Sequence, residues 1–182
     1  MKILLYIIII LNISCEKNHI RTYKLSKVVK LDNNSFDSIK LKKTNSKYHN
    51  WVIPDYWKKS QGSEMRLASF DVNYSGEVGD VSVIKLSSDG GGLLSNINRW
   101  RRQLNLDPLI LDEINNLLIN KTGKLGSYDI VEIINEKESQ SFICAIIPDQ
   151  FSTIFVKLSI NRDVMHMVKD DFINFCSSLY FD

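Results

Sequence analysis

The densest group of polar side chains in the sequence surrounds a run of three glycines at residues 90–92. Successive glycines allow the backbone to approach a partner closely or to adopt positive φ angles. The helix predicted directly after the run presents free N–H groups and the positive end of its dipole, which attract a carboxylate or a phosphate. This pattern predicts a site for an anion or an acidic protein loop. Its candidate residues are Asp89, Gly90, Gly91, Gly92, Asn96, Asn98, Arg99 and Trp100.

Two asparagines in this short helix support a role beyond helix formation. Asn is a poor helix former, so Asn96 and Asn98 are expected to bind something outside the helix. However, the phosphate-binding patterns GxxxxGK[ST] and GxGxxG are both missing. Asp89 would also repel an anion unless it caps the helix. A glycine-rich turn followed by a capped helix with a solvated basic face therefore stays open as the alternative.

The remaining reactive side chains form no recognisable catalytic or metal-binding set. His19, His49 and His166 are scattered along the chain. Adjacent helical carboxylates, as at 112–113 and 170–171, point about 100° apart and do not converge as an acid/base pair. The nucleophile pattern GxSxG is missing. We therefore expect no enzyme activity, no metal and no cofactor.

The first fifteen residues indicate export. Lys2 precedes an apolar run at 3–11, which is too short to span a bilayer because a spanning helix needs about 20 residues. This is the pattern of a secretory signal. Its Ser14-Cys15 ending resembles a bacterial lipoprotein signal, in which the cysteine is acylated, although Asn12 stands where that signal has Leu. We expect Cys15 to be lipidated, and two or more acyl chains make such an anchor stable.

The charge distribution separates a basic tether from a mildly acidic domain. Residues 15–50 hold nine Lys or Arg and three Asp or Glu, whereas residues 51–182 hold thirteen and eighteen. We predict a signal peptide at 1–14, a lipid-anchored tether at 15–50 and one globular domain at 51–182. The acidic domain implies no nucleic-acid partner.

Two further residue types allow a structural or a functional role. Cys144 lies in a strand pattern and Cys176 in a helix pattern, which favours two buried thiols over a disulfide. Trp51, Trp57 and Trp100 fit a ligand-stacking patch, although core packing is the commoner use of such residues.

Hydrophobic periodicity predicts a mixed α+β domain. Two alternating strands at 66–74 and 78–86 form a hairpin. Two short helices follow, and then a meander of three strands. The predicted strands of the meander are 128–134, 142–147 and 154–160. A final helix has a regular apolar stripe made of Val164, Val168, Phe172, Phe175 and Leu179. This order favours an antiparallel β-sheet flanked by helices.

Residues 51–182 resemble the PsbP-like α/β/α sandwich in layout and in their ending. The matching segments are Thr153-Ile154-Phe155-Val156-Lys157-Leu158, Phe172-Ile173-Asn174-Phe175 and Ser177-Ser178-Leu179-Tyr180-Phe181. The chain also resembles uncharacterised bacterial lipoproteins. The motifs shared with them are Trp51, Pro54 and Trp57, then Met65-Arg66-Leu67-Ala68-Ser69-Phe70, and Gly91-Gly92-Leu93-Leu94-Ser95-Asn96-Ile97-Asn98-Arg99-Trp100-Arg101. Because PsbP-like proteins include a photosystem II extrinsic subunit and a Ran-binding import factor, the resemblance implies binding or assembly.

These observations lead to one main expectation and two alternatives. We expect a non-catalytic accessory lipoprotein of the bacterial cell envelope that faces the periplasm and binds a protein partner, held to the membrane by its lipid anchor. The first alternative is a small-anion or small-ligand binding protein, or an enzyme of unrecognised type, centred on the loop at 90–92 and the following helix. The second alternative is a structural envelope protein that self-associates.

Overall fold

The computed structural model describes residues 49–181, which form nine strands and three helices. The strands are β1 (His49–Asn50), β2 (Trp57–Lys59), β3 (Ala68–Tyr74), β4 (Glu77–Ser87), β5 (Ile119–Gly123), β6 (Gly126–Ile134), β7 (Gln140–Asp149), β8 (Ser152–Asn161) and β9 (Tyr180–Phe181). The helices are α1 (Leu93–Gln103), α2 (Leu111–Leu117) and α3 (Arg162–Ser178). The predicted export signal, Cys15 and the tether up to residue 48 lie outside the described residues.

Seven of the strands form one antiparallel sheet in the order β2-β3-β4-β8-β7-β6-β5. Strands β1 and β9 pair separately as a two-stranded sheet. The predicted hairpin is β3 and β4, and the predicted meander is β6, β7 and β8. The predicted α+β class, an antiparallel sheet flanked by helices, is confirmed.

Helix α3 covers one face of this sheet through its apolar stripe. The stripe predicted from the sequence is buried throughout, and Phe172 and Phe175 are fully enclosed. Val81 and Val83 of β4 point to this face, as their alternation predicts. Full burial of each large apolar side chain contributes about 1.5–3 kcal/mol, so this face is the main apolar core.

Helices α1 and α2 pack against the opposite face and form a smaller core. Their buried apolar residues are Ile97, Trp100, Leu104 and Ile114. Strand β7 is buried on both faces, as its apolar run predicts, because it lies between the two cores. None of the helices in residues 49–181 is long and apolar enough to cross a bilayer.

Strand β5 was not predicted, and the reason is its position at the sheet edge. Its sequence Ile-Asn-Lys-Thr-Gly is largely exposed, so it lacks the alternation that marks a half-buried strand. Gly123 and Gly126 pair across the hairpin between β5 and β6. Strand β1 places His49 and Asn50, assigned above to the tether, in the fold by pairing with β9.

The two cysteines that the structure describes are both free and buried. This confirms the interpretation of Cys144 and Cys176 as buried thiols and excludes the disulfide. Burial raises the pKa of both thiol groups, so neither is activated as a thiolate.

Candidate functional site

The glycine run forms a tight turn that packs onto the sheet. Gly90, Gly91 and Gly92 have φ angles of 64°, 94° and 86°. A Cβ atom on Gly90 would lie 2.3 Å from the ring of Phe155, so both the conformation and the space require glycine there. Asp89 accepts a hydrogen bond from the N–H of Gly91 at 3.0 Å and does not cap α1.

The two candidate asparagines are both used to hold loops. Asn96, which is 2% exposed, donates from Nδ2 to the carbonyl oxygens of Gly90 and Gly92 at 3.1 and 2.8 Å. Asn98 donates to the carbonyl of Leu109 at 2.9 Å and accepts from its N–H at 2.8 Å. Both side chains are therefore used within the protein, Asn96 by the backbone at the start of α1 and Asn98 by the backbone before α2.

The three tryptophans do not form one patch. Trp100 is 4% exposed and packs against Phe155, with the ring centroids 5.9 Å apart. Trp51 and Trp57 pack against Phe70 and Phe175 in the core beneath α3. Core packing, the commoner use, is thus confirmed for these residues.

A cleft of about 300 Å³ lies where α1 leaves part of the sheet uncovered. We call it the α1 cleft. Alternation along β4 and β8 turns every second side chain toward it. Its lining residues are Met65, Arg66, Ser82, Ile84, Leu86, Arg99, Trp100, Gln103, Phe155 and Lys157. The arrangement combines an apolar wall with three basic side chains, and none of the lining residues is acidic.

Each basic side chain of the cleft is oriented by a neighbour. Arg66 donates to Asp80 at 2.8 Å. Arg99 donates to the side-chain oxygen of Asn96 at 2.7 Å, and Lys157 donates to the Gln103 side chain at 2.9 Å. These bonds hold the cations near the cleft without neutralising more than one of them.

Burial acts most strongly on Lys157. Its Nζ lies 4.2 Å from the centroid of the Phe142 ring, in a half-buried position on the central strand β8. Burial lowers the pKa of Lys157, and the charges of Arg66 and Arg99 lower it further, against the opposing effects of Cys144 and Asp80. The charged form of Lys157 therefore lowers the stability of the folded protein, and an anion bound in the cleft would offset this loss.

Only two of the predicted site residues, Arg99 and Trp100, line the α1 cleft. Of the others, Asp89, the three glycines and Asn96 build the turn and the helix start, and Asn98 holds the backbone before α2. Sequence analysis missed Arg66 and Lys157 because these residues belong to distant segments that the sheet brings together. A lysine in the middle of a buried strand was the available signal.

The arrangement suits binding of an anion attached to an apolar body. Within residues 49–181, no group of three His, Cys, Asp or Glu residues is placed to hold a metal ion. His166 is exposed on α3, which packs on the opposite face of the sheet from the cleft.

In comparisons with known proteins, the chain is similar to solved structures only in the path of its backbone. No model of a protein family matches the chain, and no curated protein matches it significantly. It is similar to the solution structure of cyanobacterial PsbP (CyanoP) from Synechocystis sp. PCC 6803, with 15% identity and a TM-score of 0.48, over 74% of this chain and 86% of that one. It is also similar to LpqN, involved in cell envelope biogenesis of Mycobacterium tuberculosis, with 13% identity and a TM-score of 0.38, over 73% and 82% of the two chains. The α+β class of this protein stands on its own strand pairing.

Proposed function

We propose that this chain is a membrane-tethered, non-catalytic binding protein of the bacterial cell envelope, and that it binds an anionic envelope component in the α1 cleft. The observation that carries the proposal is the convergence of Arg66, Arg99 and Lys157 on one apolar-walled cleft. Clefts of this size with few polar groups on an apolar lining are typical of ligand-binding sites.

The chemistry of the cleft supports binding over catalysis. Its lining residues include no His, Cys, Asp or Glu, and Lys157, the lining residue that could act as a general base, directs its Nζ to the Gln103 side chain at 2.9 Å. Ser82 is 3% exposed and lies opposite Lys157, but its hydroxyl points to the Lys157 carbonyl oxygen at 3.5 Å. A purified sample that hydrolyses esters or phosphoesters, and loses this activity in Ser82→Ala, would contradict the non-catalytic role.

The membrane attachment rests on the sequence around Cys15. Cells that express the chain with a C-terminal tag and grow with labelled palmitate should yield a labelled membrane protein. Cys15→Ser should abolish the label and release the protein from the membrane fraction, while Cys144→Ser should keep both. Persistent label and membrane attachment in Cys15→Ser would contradict lipidation at this residue.

The binding role is tested on the chain purified from crosslinked, solubilised membranes. We expect an envelope component, protein or lipid, to co-purify with the wild-type chain and with Arg102→Gln, because Arg102 is exposed on α1 and does not line the cleft. Arg99→Gln should lose it. Recovery of no component from the wild-type chain, or equal recovery with Arg99→Gln, would overturn the proposed function.

A further inference from the structure

The α1 cleft is polar at one end and apolar at the other. On the cleft face of the sheet, Ser82 lies opposite Lys157, and Ile84 lies opposite Phe155. Leu86 occupies the next position of β4 on the same face, close to the glycine turn. Strands rise about 3.3 Å per residue, so the cleft changes from charged to apolar over about 13 Å between Ser82 and Leu86.

Arg66 and Lys157 belong to the polar end, whereas the Arg99 guanidinium bonds to Asn96, whose side chain is held by the glycine turn. Gln103, in the last turn of α1, accepts a hydrogen bond from Lys157 and so marks where the helix meets this end. Arg99 lies one turn earlier, and Arg66 bonds to Ser69, which is opposite Ser82 in the sheet. Asp80 forms an ion pair with Arg66, and its charge also acts on Lys157.

Two cations therefore stay available for a ligand. No carboxylate in residues 49–181 forms an ion pair with Arg99 or Lys157. An anionic group placed between them would gain charge-assisted hydrogen bonds, which are about twice as strong as neutral ones.

The apolar end of the α1 cleft suits contact with an alkyl chain rather than with a charged group. Phe155 and Trp100 form an edge-to-face wall there, and the glycine turn packs against the Phe155 ring. Met65, 70% exposed, lines the cleft with a flexible side chain that can adjust to a bound surface.

The sheet uses most of the backbone groups beneath the cleft. Strand β8 is paired with β4 and with β7 along its length, and β4 is paired with β8 from Asp80 to Ser87 and with β3 up to Val83. An extended peptide needs such groups to bind by strand addition, whereas an alkyl chain needs none.

We infer that the α1 cleft binds a single-chain amphiphile, an alkyl chain that ends in a carboxylate or a phosphate, with the anionic head between Arg99 and Lys157 and the chain along Ile84, Leu86 and Phe155. This inference rests on the function proposed above, because it names the ligand of the same cleft.

The test compares probes that carry one or both halves of such a molecule. Decanoate and decyl phosphate carry a head and a chain, acetate and inorganic phosphate carry only the head, and decanol carries only the chain. The melting temperature of the full chain, purified into neutral lipid nanodiscs, is measured as each probe is titrated below its aggregation concentration. We expect a saturable rise with decanoate or decyl phosphate and none with the other three, because a ligand that binds only the folded state stabilises it.

Variants then place the binding in the cleft. Arg99→Gln and Lys157→Met should each raise the dissociation constant about tenfold, as expected for the loss of one hydrogen bond to a charged group. Arg102→Gln removes the same charge from the same helix outside the cleft and should leave the constant unchanged. Ile84→Trp should narrow the apolar end and shift the preference from decyl to hexyl chains.

Several results would overturn the inference. Equal binding of acetate or inorganic phosphate would show a site for the anion alone, and equal binding of decanol would show apolar adsorption. Full affinity in both Arg99→Gln and Lys157→Met would place the ligand elsewhere. A response to an acidic peptide but to neither decyl probe would assign the cleft to a protein partner.

Failure of the inference is distinguishable from failure of the proposed function. If Arg99 is needed to retain a crosslinked envelope protein but no decyl probe binds, the amphiphile is wrong and the binding function stands. If the decyl probes bind through Arg99 while Cys15→Ser still carries acyl label, the amphiphile stands and lipidation at Cys15 is wrong.

Discussion

The two faces of the seven-stranded sheet differ in what they bury. Beneath α3, the core is closed and mostly apolar, and it also buries the hydrogen-bonded Tyr128 side chain and the indole nitrogen of Trp57. Beneath α1, the structure buries Asn96 and half-buries Lys157, and it leaves a cleft beside them. Buried polar groups cost free energy unless they are hydrogen-bonded. The face beneath α3 therefore supplies stability, whereas the face beneath α1 is less stabilising because it holds polar groups in place.

The largest loss of stability should come from a substitution in the closed core beneath α3. Phe172 is fully buried beneath α3, so Phe172→Ala should lower the free energy of unfolding by about 3–5 kcal/mol. Urea denaturation followed by circular dichroism measures this. Met167→Ala, at a position 48% exposed on the same helix, should change it by less than about 0.5 kcal/mol. Similar losses in the two variants would remove the distinction between the faces.

A smaller effect should come from the turn that supports the α1 cleft. Gly90→Ala should lower the free energy of unfolding by about 3 kcal/mol, because it adds a clash with Phe155 to the strain of a positive φ angle. Gly91→Ala meets no atom within 4 Å and should cost about 1 kcal/mol from strain alone. Thermal unfolding of both variants measures the difference. Equal costs would mean that the turn does not depend on its packing against the sheet.

The smallest change in the free energy of unfolding, and the only increase, should come from Lys157→Met. Because the pKa of Lys157 is lowered in the folded state, the unfolded chain binds more protons between that pKa and 10.5. Stability of the wild-type protein should therefore rise with pH across this window. Lys157→Met should be more stable than the wild type at pH 7 and should lack this part of the rise.

The control for this prediction is Lys137→Met, which replaces an exposed lysine. Its unfolding free energy, measured by urea titration from pH 7 to 10.5, should follow the wild-type curve. A Lys157→Met protein that is less stable than the wild type at pH 7 would show that the charge stabilises the fold, and the α1 face would then not differ from the α3 face in this respect.

Local patterns were sufficient where one face of an element is buried and the other exposed. The stripe of α3 and the alternation of β3 and β4 predicted these elements close to their observed bounds. The same reasoning failed for β5, because an exposed edge strand has no buried face to produce a pattern. Strands β1 and β9, two residues each, are defined only by their pairing with each other.

For the site, the sequence directed attention to α1 but not to the sheet residues that face it across the cleft. Asn96 and Asn98 stood out as poor helix formers, and the structure shows them bonded to loops. Arg99 and Trp100 were on the candidate list and do line the cleft. Lys157 stands out in the sequence as a charged residue within a buried strand, but no local pattern connects it to α1.

By itself the sequence determined the nature of most elements, the basic N-terminal segment and the expectation of an exported, lipid-anchored chain. The tertiary structure alone decided where the cations meet. Ser82 and Lys157 are 75 residues apart in the chain, and they become neighbours only because β4 pairs with β8 in this register. Periodicity reports which side of an element is buried, whereas a binding site depends on which elements lie side by side, and only long-range strand pairing sets that.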